Sequence, residues 1–313
     1  MLASSRIRVV AGVIRDEHGR VLLAQRRTGK EHAGLWEFPG GKVEPTENAE
    51  VALARELEEE LGIRARIGRR LIAVPNDRIV LDVYRVLDYQ GVVRAREAQK
   101  LSWIALEDID ATWLPPADRP VLAAQRLPDH YLITPSLAAG EQSGFLAAID
   151  RALTAGIRMI QLRLPDWSRE QLAPLARKVR ERCRRAGAIL LLNTDWQLAE
   201  LLGLDGVHLP AQIARTLSSR PLPRHRWLGV SCHDASELKH AAAIGADFAT
   251  LSPIHGTPGH AHSQPIGWQN AEALISESSI PVYALGGMQH SELATAHASG
   301  AQGIAAIRAL WPD

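Results

Sequence analysis

The chain is poor in the features that mark secreted, membrane-spanning or polymer-binding proteins. It has two cysteines in 313 residues, Cys183 and Cys232, far apart and without metal-type spacing. That excludes a disulfide scaffold and a cysteine zinc site, and it reads as two buried reduced thiols of a cytosolic protein. Long apolar runs are also missing. The longest, such as "AILLL", are far too short to cross a bilayer, and "MLASSRIRVV" at the start has no apolar signal-peptide core. Excess charge of one sign is absent too: 36 Lys+Arg against 35 Asp+Glu leave +1, which gives no electrostatic reason to bind nucleic acid polymers or an anionic membrane. A cytoplasmic globular protein is expected, acting on a small molecule; nothing sets its oligomeric state.

Hydrophobic content of 46% with 23% charged residues is globular composition, and the length suits two domains. The first part reads as mixed α and β. "RIRVVAGVI" and "RVLLAQR" are strand-like around a turn at "RDEHG", followed by a loop with Gly34, Pro39, Gly40 and Gly41, then an acidic helical segment. "RIVLDVYRVLDY" and "KLSWIAL" continue as strands, and "RPVLAAQRL" closes as a helix. A break near Pro128 separates residues 1–128 from 129–313. Beyond it, "YLIT", "MIQLRL", "ILLLN", "GVHL", "WLGVSC", "FATLSPI", "VYALGG" and "GIAAI" alternate with helical patterns. Eight such repeats over about 180 residues predict a (β/α)8 barrel.

The acidic segment "GGKVEPTENAEVALARELEEELGI", residues 40 to 63, holds seven glutamates. On a helix over 48–61, Val51, Ala54, Leu57 and Leu61 form the expected buried face. Glu56, Glu59 and Glu60 share an adjoining face at i, i+3 and i+4, where like charges repel. A hard cation such as Mg²⁺ or Mn²⁺ offsets such a cluster, and Arg55 and Glu47 can hold the ligands in place. Gly41, five residues, Glu47, seven residues, then "RELEEELGI" matches every position of the Nudix box. A chance match in a chain of this length is on the order of one in ten million.

Residues 5 to 128 therefore resemble Nudix hydrolases, most closely the MutT type that converts 8-oxo-dGTP to the monophosphate plus diphosphate. The resemblance implies an α/β/α sandwich with a mixed sheet. It implies metal ligation by Glu56, Glu59, Glu60 and the Gly40 carbonyl, with Glu97 in "AREAQKLSW" as a further carboxylate. The catalytic set is then Arg55, Glu56, Glu59 and Glu97, with Glu56 and Glu97 equal candidates for the base. "AQRRTGKEH" and "WEFPGG" imply Arg27 and His32 as phosphate or sugar contacts and Glu37, Phe38, Pro39 and Gly40 around the nucleoside. Arg78 after "VPND" is a further contact. Asp118 in "LPPADRP" stands where the MutT pattern has an asparagine facing the base. An ionised aspartate only accepts hydrogen bonds, but buried it can be protonated.

Residues 130 to 313 resemble the thiamine phosphate synthase/TenI barrels through "IQLR", "LLLN", "DGVHLP", "LGVSCH", "SPIHGTPG", "ALGGM" and "GAQGIAAI". The resemblance implies phosphate binding at Gly286, Gly287 and the turn at Ile307 and Arg308. It also implies a proton-transfer histidine, His233. Three departures weaken a Mg²⁺–diphosphate site: Thr194 follows Asn193 where the synthases have aspartate, Leu164 and Pro165 follow Arg163 where a lysine is expected, and Thr257-Pro258-Gly259-His260 replaces Thr-x-Thr-Lys. His255, His260 and His262 lack regular metal spacing. The alternative to nucleotide sanitation is hydrolysis of a thiamine-related diphosphate, the barrel binding or tautomerising a phosphorylated thiazole or pyrimidine.

Overall fold

A computed structural model describes residues 6–138, 140–256 and 264–312. The chain divides into two compact units, Met1–Arg126 and Leu127–Asp313. The division follows the side chains: Leu127 is buried with Tyr131, Met159 and Phe248 inside the second unit. His260 and His262, with residues 257 to 263, lie outside the described residues.

The first unit is built on two sheets. The larger has the order β4 (Gly40–Lys42), β1 (Ile7–Val13), β6 (Ile79–Gln90), β5 (Arg64–Pro75), with β1 and β6 parallel and the rest antiparallel. The smaller joins β3 (Trp36–Glu37), β2 (Val21–Gln25) and β7 (Leu101–Ile104). The expected turn after β1 is present as a bridge between Arg15 and Val21, after which β1 and β2 diverge into separate sheets. Strand alternation sends Val10 and Ile14 to a cluster with helix α1 (Ala49–Leu61). Ala11 and Val13 go to the opposite cluster, with Val121, Leu122 and Ala124 of helix α2 (Arg119–Arg126). The result is the α/β/α sandwich with a mixed sheet.

Two details differ from expectation. Strand β5 carries Arg64, Arg66, Arg69 and Arg70 with Gly68, so its apolar alternation is broken, and its pairing with β6 shifts register three times. Those bulges hide the strand from a period-two reading. The buried face of α1 is Ala49, Ala52, Leu53, Leu57 and Leu61, whereas Val51 is 54% exposed. Leu53 supplies the contact assigned to Val51 because the sheet meets the helix about two positions further round. Asn48 caps the helix by accepting from the Val51 N–H at 2.9 Å, and Gly62 ends it at φ 72°.

The second unit is a closed barrel of eight parallel strands, β8 (His130–Ile133), β9 (Met159–Leu162), β10 (Ile189–Asn193), β11 (Gly206–Leu209), β12 (Trp227–Cys232), β13 (Phe248–Leu251), β14 (Val282–Leu285) and β15 (Gly303–Ala306). Each of the eight runs read from the sequence is one of these strands. Interior positions hold Tyr131, Leu191, Phe248, Tyr283 and Ala305, while alternate residues such as Leu132, Leu190 and Ile304 face the surrounding helices. No helix among the described residues is long and apolar enough to cross a membrane.

Leu53 is fully buried, so Leu53→Ala should destabilise the first unit by about 2–5 kcal/mol. Val51→Ala should change stability by less than about 0.5 kcal/mol. Chemical denaturation of both variants, with hydrogen exchange over α1, checks the assignment of the buried face.

Candidate active site

Two glycines let β4 lie close to its neighbours, β1 on one side and the Glu56 side chain of α1 on the other. A Cβ at Gly40, whose φ is 153°, would overlap the Val10 carbonyl of the neighbouring strand; a Cβ at Gly41 would overlap the Glu56 carboxylate. The Glu56 side chain therefore lies directly against β4, beside the Gly40 peptide.

Arg55 organises the acidic face. Its Nη2 donates to Glu47 Oε1 at 2.6 Å and Nε to Oε2 at 3.2 Å, a two-point grip. Nη1 reaches Glu56 at 3.0 Å and Glu59 at 3.1 Å, and Nη2 also donates to the Lys42 carbonyl at 3.1 Å. The Glu47 carboxylate raises the pKa of Arg55 above its ordinary value, and the guanidinium holds Glu47 below the usual carboxylate range. Glu47 in turn accepts from the Glu44 N–H at 2.9 Å, tying the helix to the preceding loop.

Glu60 faces a cleft lined by Arg26, Arg27, Lys30, Glu37, Pro39, Gly40, Glu97 and Gln99. Burial lifts its carboxyl to about 7, with the charges of Glu97, Glu56 and Glu37 adding to the rise. Burial also raises Glu37, against the pull of Arg26, whose Nη1 donates to Glu37 Oε2. Glu97, on the loop before β7, pairs with Arg27: Nη2 meets Oε2 and Nη1 the Glu97 carbonyl, each at 2.7 Å. Gln99 accepts from the Glu97 N–H at 3.0 Å and donates to the Glu60 carbonyl at 3.2 Å.

The sequence-predicted residues separate into four groups. Arg27, Glu37, Pro39, Gly40, Glu60 and Glu97 line one cleft, with Arg55 and Glu56 joined to it through β4 and α1. Glu59 is 56% exposed and bound to Arg55. Phe38 and Asp118 are buried together, the Phe38 N–H donating to Asp118 Oδ1 at 3.2 Å. His32 and Arg78 lie on the exposed surface: His32 is 3.7 Å from Glu31, and Arg78 is 84% exposed, 4.0 Å from Glu31. Arg26, Lys30 and Gln99 were not read from the sequence. The first two stand in the "AQRRTGKEH" string, which carried a signal; Gln99 carried none, since its role lies in bonds to two residues far apart in the chain.

Among the described residues, no three His, Cys, Asp or Glu side chains converge as a ready cation cage, because Arg55 and Arg27 hold the carboxylates. The donor set nonetheless fits a hard divalent cation. Glu56, Glu60, Glu97 and the Gly40 carbonyl offer oxygen ligands only, and the charges of Glu97 and Glu56, which add to the burial-driven rise of Glu60, are ones a cation would offset.

A second constellation lies at the C-terminal ends of the barrel strands. His233 Nδ1 is 2.8 Å from Glu237 Oε2, and the buried Glu237 also pairs with Arg215 and accepts from the His233 N–H at 2.7 Å. A carboxylate at Nδ1 places the proton there and leaves Nε2 as an acceptor. Gly286 and Gly287 follow β14 at φ 99° and 73°; a Cβ on either would crowd Pro253 or His255. Deeper in the barrel, Gln161 Nε2 donates to the Tyr131 hydroxyl at 2.8 Å, which lies 3.1 Å from His208 Nδ1, and His208 Nε2 is 2.9 Å from Ser231 Oγ. Burial lowers His208 to about 3, so it is neutral, and the chain of donors closes with its proton on Nε2. Asn193 Nδ2 donates to Thr194 Oγ1 at 2.9 Å, so the position after Asn193 offers a hydroxyl.

The family profile described as thiamine monophosphate synthase matches residues 130–310, and that of the NUDIX domain matches residues 5–125. A putative thiamine-phosphate synthase of Geobacter sulfurreducens is 41% identical over 189 residues, 58% of this chain and 86% of that protein. The CTP pyrophosphohydrolase of Escherichia coli is 45% identical over 122 residues, 38% of this chain and 90% of that protein. The solution structure of the E. coli ORF135 protein is 44% identical, with a TM-score of 0.36, covering 39% of this chain and 90% of that one.

Proposed function

The chain belongs to the thiamine monophosphate synthase family through residues 130–310 and to the NUDIX family through residues 5–125, and from that premise we propose that its first unit hydrolyses nucleoside triphosphates to the monophosphate and diphosphate. The observation that carries the reading is the one cleft that Glu60, Glu97 and Gly40 share with Arg26, Arg27 and Lys30, with Glu56 against β4 and near enough for its charge to add to the rise of Glu60. The basic side chains suit a polyphosphate. A bound Mg²⁺ or Mn²⁺, held by Glu56, Glu60 and Glu97 with the Gly40 carbonyl, would supply charge neutralisation and polarisation of the phosphates. Arg55 orients Glu56 and Glu59 through its Nη1 bonds, and Glu56 or Glu97 takes the proton of the attacking water. Glu56→Gln combined with Glu60→Gln should cut release of diphosphate on the order of 10³-fold while leaving the far-UV dichroism unchanged; wild-type release by that variant rules the site out.

Base choice rests on Asp118. Burial lifts its carboxyl to about 7, the Phe38 N–H and Arg26 opposing the rise. Ionised, it accepts two N–H groups, as a guanine-type edge such as that of 8-oxo-dGTP presents. Protonated, it donates and accepts, which suits the N3 and N4 edge of cytosine; the name of the E. coli relative supports that second reading. The ionised form prevails above pH 7 and the protonated form below it. The ratio of kcat/KM for 8-oxo-dGTP over CTP should therefore rise by about one to two orders of magnitude between pH 6 and 8. Titration of Glu60 affects both substrates alike and cancels in the ratio. Asp118→Asn should flatten the profile; a flat profile in the wild-type protein overturns the role.

For the barrel we propose binding of a phosphorylated heterocycle of the thiazole or pyrimidine kind, with His233 as a proton-transfer group. The His233–Glu237–Arg215 arrangement supports this, and Thr194 after Asn193 speaks against a strong Mg²⁺–diphosphate grip. Calorimetric titration of the full chain with a thiazole phosphate should show binding. His233→Asn should retain that heat and abolish any isomerisation; no heat from the wild-type chain excludes the reading.

A further inference from the structure

The two residues that a polyphosphate and a cation would each claim are bound to one another. Arg27 donates through both terminal nitrogens to Glu97, once to the carboxylate and once to the carbonyl. Neither is buried: the side chains are 44% and 40% exposed. The loop that carries Glu97 is by contrast anchored to the end of α1. Arg94 N donates to the Leu61 carbonyl at 3.0 Å, Arg96 N to the Glu60 carbonyl at 2.9 Å, and Arg96 Nη1 to the Glu58 carbonyl at 3.1 Å. Gln99 closes the loop by bonding both the Glu97 N–H and the Glu60 carbonyl. The Glu97 backbone is thus held beside Glu60, while its carboxylate is free to rotate once Arg27 lets go.

We propose that the Arg27–Glu97 pair is an exchange contact, in which each residue neutralises the other and is released when the partner is taken by ligand. Phosphate oxygens displace Glu97 from the guanidinium, and the freed carboxylate turns to the cation; a cation drawing on Glu97 frees Arg27 for phosphate. An exposed ion pair is weak, so the exchange for bidentate phosphate bonds and carboxylate–cation bonds is favourable. Linkage then makes the coupling reciprocal, each ligand tightening the other through this chain's own side chains. The inference rests on the assignment of Glu97 to the cation made under the proposed function.

The consequence is counterintuitive: removing a substrate-binding arginine should strengthen cation binding. In Mn²⁺ titrations of the full chain without nucleotide, followed by electron paramagnetic resonance, the relevant site is the one lost in Glu56→Gln/Glu60→Gln. Arg27→Ala should bind Mn²⁺ there about two- to fivefold more tightly than wild type, the release of an exposed ion pair. Glu97→Gln alone should weaken binding, and adding Arg27→Ala to it should then have no effect. If Glu97→Gln leaves Mn²⁺ affinity unchanged, the assignment of Glu97 to the cation fails and the exchange with it. If Glu97→Gln weakens binding but Arg27→Ala does not strengthen it, the exchange alone is overturned. A gain from Arg27→Ala that persists in the Glu97→Gln background marks general loss of positive charge, and also overturns it.

Discussion

The first unit depends on one guanidinium. Arg55 sits between Glu47, Glu56 and Glu59 on a helix whose carboxylates would otherwise repel one another across one turn. Because it also donates to the Lys42 carbonyl, it fixes α1 to β4 as well as charge to charge. The glycines at 40 and 41 are the other half of this constraint, since a Cβ at 40 would push β4 off β1 and one at 41 would push the Glu56 carboxylate out of its place. Charge and backbone are therefore solved together: Glu56 and Glu59 stand side by side on the helix because Arg55 pairs with both, and with Glu47.

The same economy of charge runs through the cleft. Arg26 serves Glu37 and Arg27 serves Glu97, so the groups suited to phosphate are held by the groups suited to cation or nucleoside. Glu60 has no such arginine, and its carboxyl rises to about 7. Burial is the main cause, the neighbouring carboxylates add to it, and Lys30 opposes it. Buried Asp118 behaves similarly: burial is the main cause of the rise in both, and Asp118 rests on a backbone N–H.

In the barrel, one polar thread runs through the apolar interior. Tyr131, Gln161, His208 and Ser231 satisfy one another, which lets a histidine sit neutral among apolar walls. His233, one residue past β12, is by contrast half exposed and oriented by a buried carboxylate. That contrast separates a histidine that holds the interior together from one that can meet a ligand.

Periodicity and spacing by themselves determined the eight barrel strands, the division near residue 128 and the Nudix motif, because each is a local pattern repeated or spaced along the chain. Spacing also marked the glutamates of α1, while Arg27 in "AQRRTGKEH" was implied by the resemblance to Nudix hydrolases. Strand β5 was hidden because bulges and arginines interrupt its alternation, and Val51 was misplaced on α1 because a helical wheel does not say which side the sheet will approach. Only the tertiary structure decided that Gln99 bridges Glu97 to Glu60, that Arg27 holds Glu97, that Glu59 turns outward to Arg55, and that Asp118 is buried enough to keep a proton near neutrality. Those outcomes depend on distances between residues far apart in the chain and on the water each has lost, which no local pattern contains.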